Sequence, residues 1–251
     1  MSAMFSLLTR LYAVAHRAGG IQNSLRTLQN ERSAAEARNQ FFIDLSHELQ
    51  APILVLKSNW EVLAGRREGD RAAALAILGK TTDQMARMVD GFLRAARLDF
   101  AGAVLNKEPV ALSALIEEVH GDCVALADNA GVHFSWASDK REVAMDRDKI
   151  KEVILNLVSN ALKHTDAGGA ITLSGKSVGN GAEIIVRDTG TGIPLDELSH
   201  IFERFYRIRN DAAKGNGLGL HICQKIIQAH GGSISVQSKP DEGTRFVIFL
   251  P

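Results

Sequence analysis

The stretch Phe42-Ile43-Asp44-Leu45-Ser46-His47-Glu48-Leu49-Gln50-Ala51-Pro52 opens a seven-residue apolar rhythm. Phe42, Leu49, Leu56 and Leu63 share one heptad position, Leu45 and Pro52 lie three residues further on, and Ile53 and Trp60 lie beside those. A second run puts Leu75, Val89 and Ala96 on one position and Leu78, Met85 and Phe92 three residues later. The polar, glycine-bearing segment Ala64-Gly65-Arg66-Arg67-Glu68-Gly69-Asp70 separates the two runs. Two heptad helices joined by a short turn make an antiparallel hairpin. A lone hairpin buries a single stripe. Two copies are therefore expected to pair into a four-helix bundle, in preference to one hairpin packing on its own chain. Upstream, residues 1–40 read as a helical lead-in, with Leu25 and Leu28 ahead of a polar run and a break at Gly19-Gly20.

Near residue 100 the chain changes character. Pro52 is the only proline before that point; beyond it come glycines, β-branched runs and turn dipeptides. An all-helical first part is thus followed by an α/β second part. Leu112 to Asp128 has helical periodicity, and Val132 to Trp136 reads as a strand. Asp148 to His164 reads as a helix capped by Asp146 or Asp148. Ala170 to Ser177 and Ala182 to Val186 alternate as a hairpin around Gly179-Asn180-Gly181. Leu218 to His230 is a helix ended by Gly231-Gly232, and Ser233 to Ser238 with Thr244 to Leu250 make a last strand pair.

The 251 residues are 45% hydrophobic and 23% charged, which is ordinary for a soluble globular chain of one or two domains. Lys plus Arg (29) balance Asp plus Glu (29), which argues against a nucleic-acid partner held by bulk phosphate neutralisation. Cys123 and Cys223 are far apart and lack metal spacing, so no disulfide framework is implied and a cytoplasmic location is the default. The apolar run Met4 to Ala15 is interrupted by Arg10 and is too short to span a bilayer. A sensor or inner-membrane segment outside this chain is compatible with that reading.

Four places carry chemistry. With Phe42 on the seam, His47 lies about 140° around the helix and faces solvent. Position alone makes it an ordinary surface histidine. Glu48, directly after it, can orient an imidazole and accept its proton. Pro52 removes the helix bond to the Glu48 carbonyl and is expected to bend the helix. A zinc-protease signature is excluded, because Ala51 occupies the place of the second histidine. Asn156 and Asn160 share one helix face with Lys163 near it; two amide oxygens and an ammonium suit a hydrated Mg²⁺ with phosphates, or else form a plain polar face. In Val186-Arg187-Asp188-Thr189-Gly190-Thr191-Gly192-Ile193-Pro194 an acidic residue ends a strand before a glycine-rich turn. Such a turn lets backbone approach a ligand closely, or serves only as a strand exit. Gly215-Asn216-Gly217-Leu218-Gly219-Leu220 leads into a helix, where backbone amides favour phosphate. Leu220 stands where the dinucleotide fingerprint needs its third glycine, and no Gly-Lys-Ser/Thr of a P-loop follows.

Taken in order, these segments resemble a sensor histidine kinase of two-component signalling. Ser46 to Pro52 resembles the phosphoacceptor box, Asn156 to Thr165 the N box, and Asp188 to Gly192 and Gly215 to Gly219 the two glycine boxes. Ile201-Phe202-Glu203-Arg204-Phe205-Tyr206 resembles the F box, and Gly243-Thr244-Arg245-Phe246 the closing glycine-threonine strand. The likeness covers about residues 35–251, and the boxes together are far more specific than any one of them.

The resemblance implies three regions: a lead-in or linker (1–34), a dimerisation and histidine-phosphotransfer hairpin (35–100), and an ATP-binding α/β sandwich of the histidine kinase and Hsp90-like type (101–251). It implies that His47 accepts the γ-phosphoryl of Mg-ATP, with Glu48 as base or orienter, and that a response-regulator aspartate then takes the group. Asp188 would bind the adenine amine, and Gly190, Gly192 and Ile193 would line the base pocket. Asn160 would ligate Mg²⁺, with Asn156, Lys163 and His164 beside the phosphates. Phe202, Phe205, Gly215, Gly217, Leu218, Gly219, Leu220 and Thr244 complete the implied nucleotide site, and residues between Phe202 and Gly219 would form a lid over it. Two positions depart from the family pattern: Gln50 replaces its usual arginine, and Ala51 its usual threonine or asparagine. Alanine cannot position the water that dephosphorylates a partner, so a kinase-biased protein is expected. Two rival readings are a degenerate kinase that only scaffolds a regulator and a chaperone- or topoisomerase-type ATPase. The intact Asn160, Asp188 and Gly190 speak against the first, the His47 hairpin against the second.

Overall fold

The structure is a computed structural model that describes residues 32, 35, 36, 38–67, 69–102, 104–179, 181–208 and 217–251. Its contacts divide it into two compact units, Met1–Asp83 and Gln84–Pro251.

In the first unit, helix α1 covers residues 38–63 and continues through the buried Pro52. It closes with Ala64 N–H donating to the Trp60 carbonyl (2.8 Å) and Arg66 N–H to the Glu61 carbonyl (2.9 Å). Asp70 opens helix α2 (Arg71–Ala96), its Oδ1 accepting from Ala72 N–H at 2.8 Å and Ala73 N–H at 3.2 Å. A carboxylate at that position satisfies amides that have no partner inside the helix. The buried stripe differs by one residue from the apolar rhythm. Phe41 is buried, whereas Phe42 is 55% exposed. On α2 the buried positions are Ala74, Thr81, Met88, Gly91, Phe92 and Ala95; Phe92 is buried as the rhythm predicts, while Leu75 and Val89 are exposed. The seam thus uses small and polar residues that a count of large apolar side chains passes over, and the neighbouring large side chains stay uncovered in the single chain.

The second unit holds the remainder of α2 and then a π-helical turn, Arg97–Ala101. Its order thereafter is β1 (Glu108–Ala111), α3 (Leu112–Ala130), β2 (His133–Ser138), β3 (Glu142–Met145), α4 (Arg147–His164), β4 (Ala170–Val178), β5 (Gly181–Asp188), α5 (Gly219–Ala229), β6 (Ser233–Lys239) and β7 (Gly243–Leu250). Five strands form one sheet in the order β2-β4-β5-β7-β6, with β2 parallel to β4 and the other pairs antiparallel. β1 and β3 make a separate antiparallel pair with Val110 opposite Val143.

One sheet face is apolar and buried through Ile171, Leu173, Ile184, Val186, Phe246 and Ile248. Alternation along each strand sends Thr172, Arg187 and Phe249 to the other, exposed face. Helices α3, α4 and α5 lie against the sheet and bury Ile116, Ile150, Ile154, Leu157 and Ile226. The result is a two-layer α/β sandwich. Asp146 caps α4 by accepting from Lys149 N–H at 3.1 Å. Lys151 ties α4 to α3 through Glu118 (2.6 Å) and Asp122 (2.7 Å). Among the described residues no helix is long and apolar enough to cross a membrane.

Candidate nucleotide site

The site grows from the end of β5. Asp188 closes that strand and is buried, 5% exposed. Its Oδ1 accepts from the backbone N–H of Gly190 at 2.9 Å and of Thr244 at 3.0 Å. Burial pushes the carboxyl above the usual carboxylate range; the two amides and the charge of His164 pull the other way without cancelling it. Both amide bonds go to Oδ1, so Oδ2 keeps its acceptor capacity.

The turn after Asp188 is pressed against α4. Thr191 N–H donates to the His164 carbonyl at 3.0 Å. A Cβ at position 190 would stand 2.1 Å from that same carbonyl oxygen, so only glycine fits. Gly192 has φ +68°, and a Cβ there would meet the Lys239 carbonyl at 2.0 Å. The far side of the turn is held by the β6–β7 connection: Asp241 N–H donates to the Thr191 carbonyl at 2.9 Å, and Ile193 N–H to Ser238 Oγ at 2.8 Å. Ser238 Oγ in turn donates to the Gly243 carbonyl at 2.8 Å and lies 3.0 Å from Thr244 Oγ1.

Asn156, Asn160 and His164 are half-buried on α4, and Lys163 is exposed. The start of α5 stands over this face, for a Cβ on Gly219 would lie 3.2 Å from Asn156 Oδ1. Leu218 is fully buried and Leu220 half-buried. Phe202 meets Phe246 edge to face with ring centroids 6.4 Å apart, and Phe205 N–H donates to the Gly217 carbonyl at 2.9 Å. Gly215 and residues 209–216 as a whole lie outside the described residues, so half of the expected lid does too. An open cavity of about 500 Å³ borders α4 between Arg94, Lys151, Glu152 and Asn156.

The structure therefore gathers Asp188, Gly190, Gly192, Ile193 and Thr244 at one end of the sheet, beside the C-terminal half of α4. His47 and Glu48 belong to the other unit, on α1, where His47 is exposed as expected, although the buried residue is Phe41 and not the Phe42 on which that expectation rests, and Glu48 is half-buried. Sequence reasoning missed Ser238, whose hydroxyl joins three backbone and side-chain groups, and Thr165. Thr165 Oγ1 is buried without a hydrogen-bond partner among the described residues. An orphaned hydroxyl next to the α4 end fits a site built to receive a polar ligand.

An antiparallel-rich sheet covered by helices on one face, with a buried acid and a glycine turn at the strand end, defines an ATPase-type nucleotide fold. Residues 145–251 match the family described as histidine kinase-, DNA gyrase B-, and HSP90-like ATPase. The catalytic domain of histidine kinase ThkA is 31% identical and superposes with a TM-score of 0.53, covering 58% of this chain and 97% of that domain. Full-length ShkA in complex with AMPPNP is 27% identical, with a TM-score of 0.63 over 85% of this chain and 45% of that one. Sensor protein SrrB of Staphylococcus aureus (strain NCTC 8325 / PS 47) is 32% identical over 261 residues, which take in 100% of this chain and 45% of that protein. The chain belongs to the histidine kinase family. It spans less than half the length of the curated relatives it matches.

Proposed function

We propose that this chain is the ATP-dependent core of a two-component protein-histidine kinase, which phosphorylates itself on His47 and passes the phosphoryl group to an aspartate of a response regulator. The observation that carries the reading is Asp188, a buried carboxylate fixed by two amides at the mouth of a glycine turn. A carboxylate held this way is an acceptor of fixed direction, suited to an exocyclic amine such as that of adenine. Gly190 and Gly192 let the turn pack against the His164 and Lys239 carbonyls, and with Ile193 the turn would line one side of the base pocket. Phe202, Phe205, Leu218, Leu220 and Thr244 bound the space, and the α5 start with Gly217 and Gly219 presents backbone toward the phosphates.

Asn160 would hold Mg²⁺, with Asn156, Lys163 and His164 beside the phosphates. Among the described residues no three His, Cys, Asp or Glu side chains converge as a metal site. Amide oxygen and ligand phosphate are the donors available, a set that suits hydrated Mg²⁺. The cation would neutralise charge on the transferring group. His47 supplies the nucleophilic nitrogen, and Glu48 orients the imidazole or takes its proton.

The functional boundaries we assign are 35–100 for dimerisation and phosphotransfer and 101–251 for nucleotide binding. Two copies pair through the hairpin, covering the exposed Phe42, Leu75 and Val89. The response-regulator partner is inferred from the family; ThkA, whose 23% identity to this chain speaks for the fold alone, has been solved with the response regulator TrrA. Incubating the full chain with γ-labelled ATP tests the reading. Acid-labile, alkali-stable label is expected, lost in His47→Gln while Mg-ATP binding survives. Undiminished label on the variant would refute the assignment.

A further inference from the structure

A lysine, an arginine and an imidazole converge on one largely covered acid at the junction after α2. Asp99, in the π-helical turn, is 9% exposed at its side chain. It receives Lys225 Nζ at 3.0 Å and His221 Nε2 at 3.1 Å, with an Arg204 guanidinium nitrogen 3.7 Å away. His221 lies in the first turn of α5, is 7% exposed, and places its other nitrogen, Nδ1, 3.2 Å from the Phe202 carbonyl oxygen.

Both partners of this imidazole are acceptors. A peptide carbonyl has no proton to give, and Asp99 is ionised: burial pushes its carboxyl up, but hydrogen bonds from His221 and Lys225 outweigh that and hold it at about 2. A neutral imidazole carries one N–H and satisfies one of them; only the imidazolium donates to both. His230, at the C-terminal cap of the same helix, shows the contrast. Its Nδ1 donates to the Ile226 carbonyl at 2.8 Å while its Nε2 accepts from Asp146 N–H at 3.1 Å, which suits the neutral ring.

We propose that His221 is a positioning residue for nucleotide binding, bridging Phe202 and Asp99 as an imidazolium and releasing one of the two when it loses its proton. The charged groups facing it are Asp99 from the π-helical turn, Arg204 from the Phe202 segment and Lys225 from α5. The bridge joins the chain just before residues 206–216 to the chain just after them, as the Phe205–Gly217 bond does, and fixes both to the end of α2. The same segments carry Phe202, Leu218 and Gly219 of the nucleotide site. The role rests on the nucleotide reading above.

The experiment uses the full chain and follows autophosphorylation against Mg-ATP concentration from about pH 6 to about pH 8.5. Losing one hydrogen bond at a binding site raises the ATP KM by about 3- to 10-fold at the alkaline end, with kcat changed less than about two-fold because His221 touches no reacting atom. In His221→Gln the KM is expected to stay flat across that range. The imidazole ¹⁵N spectrum of the wild type, assigned through the backbone, needs no variant. It is expected to show two protonated nitrogens on His221 where KM is low and one where KM has risen. A single neutral tautomer throughout overturns the proposal, and so does a KM profile that His221→Gln leaves unchanged. Failure of the nucleotide reading looks different: Mg-ATP would not bind at any pH, whatever the imidazole spectrum shows, and the positioning role would fall with it.

Discussion

Two buried carboxylates in the same unit have opposite electrostatics. Asp188 has two amides and the charge of His164 against burial, and burial wins, so its carboxyl sits above the ordinary range. The folded state then holds that proton more tightly than the unfolded chain does. The stability Asp188 contributes is full at acid pH and declines as pH rises through its unfolded and then its folded value. Asp188→Asn removes that decline, and the amide oxygen still accepts from Gly190 and Thr244. The variant is expected to melt at an equal or higher temperature at pH 7, yet to bind Mg-ATP about 10- to 100-fold more weakly, the worth of a hydrogen bond to a charged group. Calorimetry and thermal melts on the same sample check both halves, and unchanged affinity would remove Asp188 from the site. Asp99 goes the other way, held at about 2 against an ordinary 3.8. Its contribution is present above about pH 4 and is lost as pH falls toward 2, and it amounts to about 2 kcal/mol at most. Urea unfolding at pH 7 and near pH 3 should show Asp99→Asn destabilised at the first and its deficit cut to about half at the second.

The elements differ in how far they could be read from the chain. The three helices α3, α4 and α5 and the two hairpins were legible because each carries its own local signal. Asp146 caps α4, Gly231 at φ +82° follows α5, and a glycine turn separates β4 from β5. The β1–β3 ladder was not legible: its strands have four residues each, and Val110 meets Val143 across an intervening helix. The parallel pairing of β2 with β4 escaped for the same reason, since long-range register leaves no local trace. The one-residue shift of the α2 stripe escaped because Ala74 and Thr81 do not look like core residues. Within the candidate site, Asp188 and its glycines stood out as a motif, whereas Ser238, Thr165 and the His221–Asp99 bridge are ordinary residues made special by tertiary placement. The element-scale test is Gly190→Ala. Its Cβ would sit 2.1 Å from the His164 carbonyl and push the glycine turn off the end of α4. A loss of about 1–3 kcal/mol in denaturant unfolding is expected, together with loss of Mg-ATP binding.

At the scale of the molecule, large apolar side chains remain uncovered on the two long helices. Trp60 is 59% exposed, Leu75 64% and Leu93 48%. Large apolar side chains left exposed on a long helix are what a monomer avoids and a paired helix covers. The double variant Leu75→Lys, Val89→Lys is expected to shift the full chain from dimer to monomer in light scattering at tens of micromolar. A dimer that survives both lysines would place the interface elsewhere.

The strand β7 lies between β5 and β6 although it follows both in the chain. On a translating ribosome, β5 therefore emerges with its partner β4 but long before its other neighbour, β7, and Asp188 waits for the Thr244 amide that completes its bonding. His47 and its hairpin are already outside the ribosome throughout that interval. On the proposed reading, the nascent polypeptide displays its acceptor histidine while the candidate nucleotide site is still unbuilt, and a ribosome paused before residue 243 would hold a hairpin that nothing in its own chain can charge.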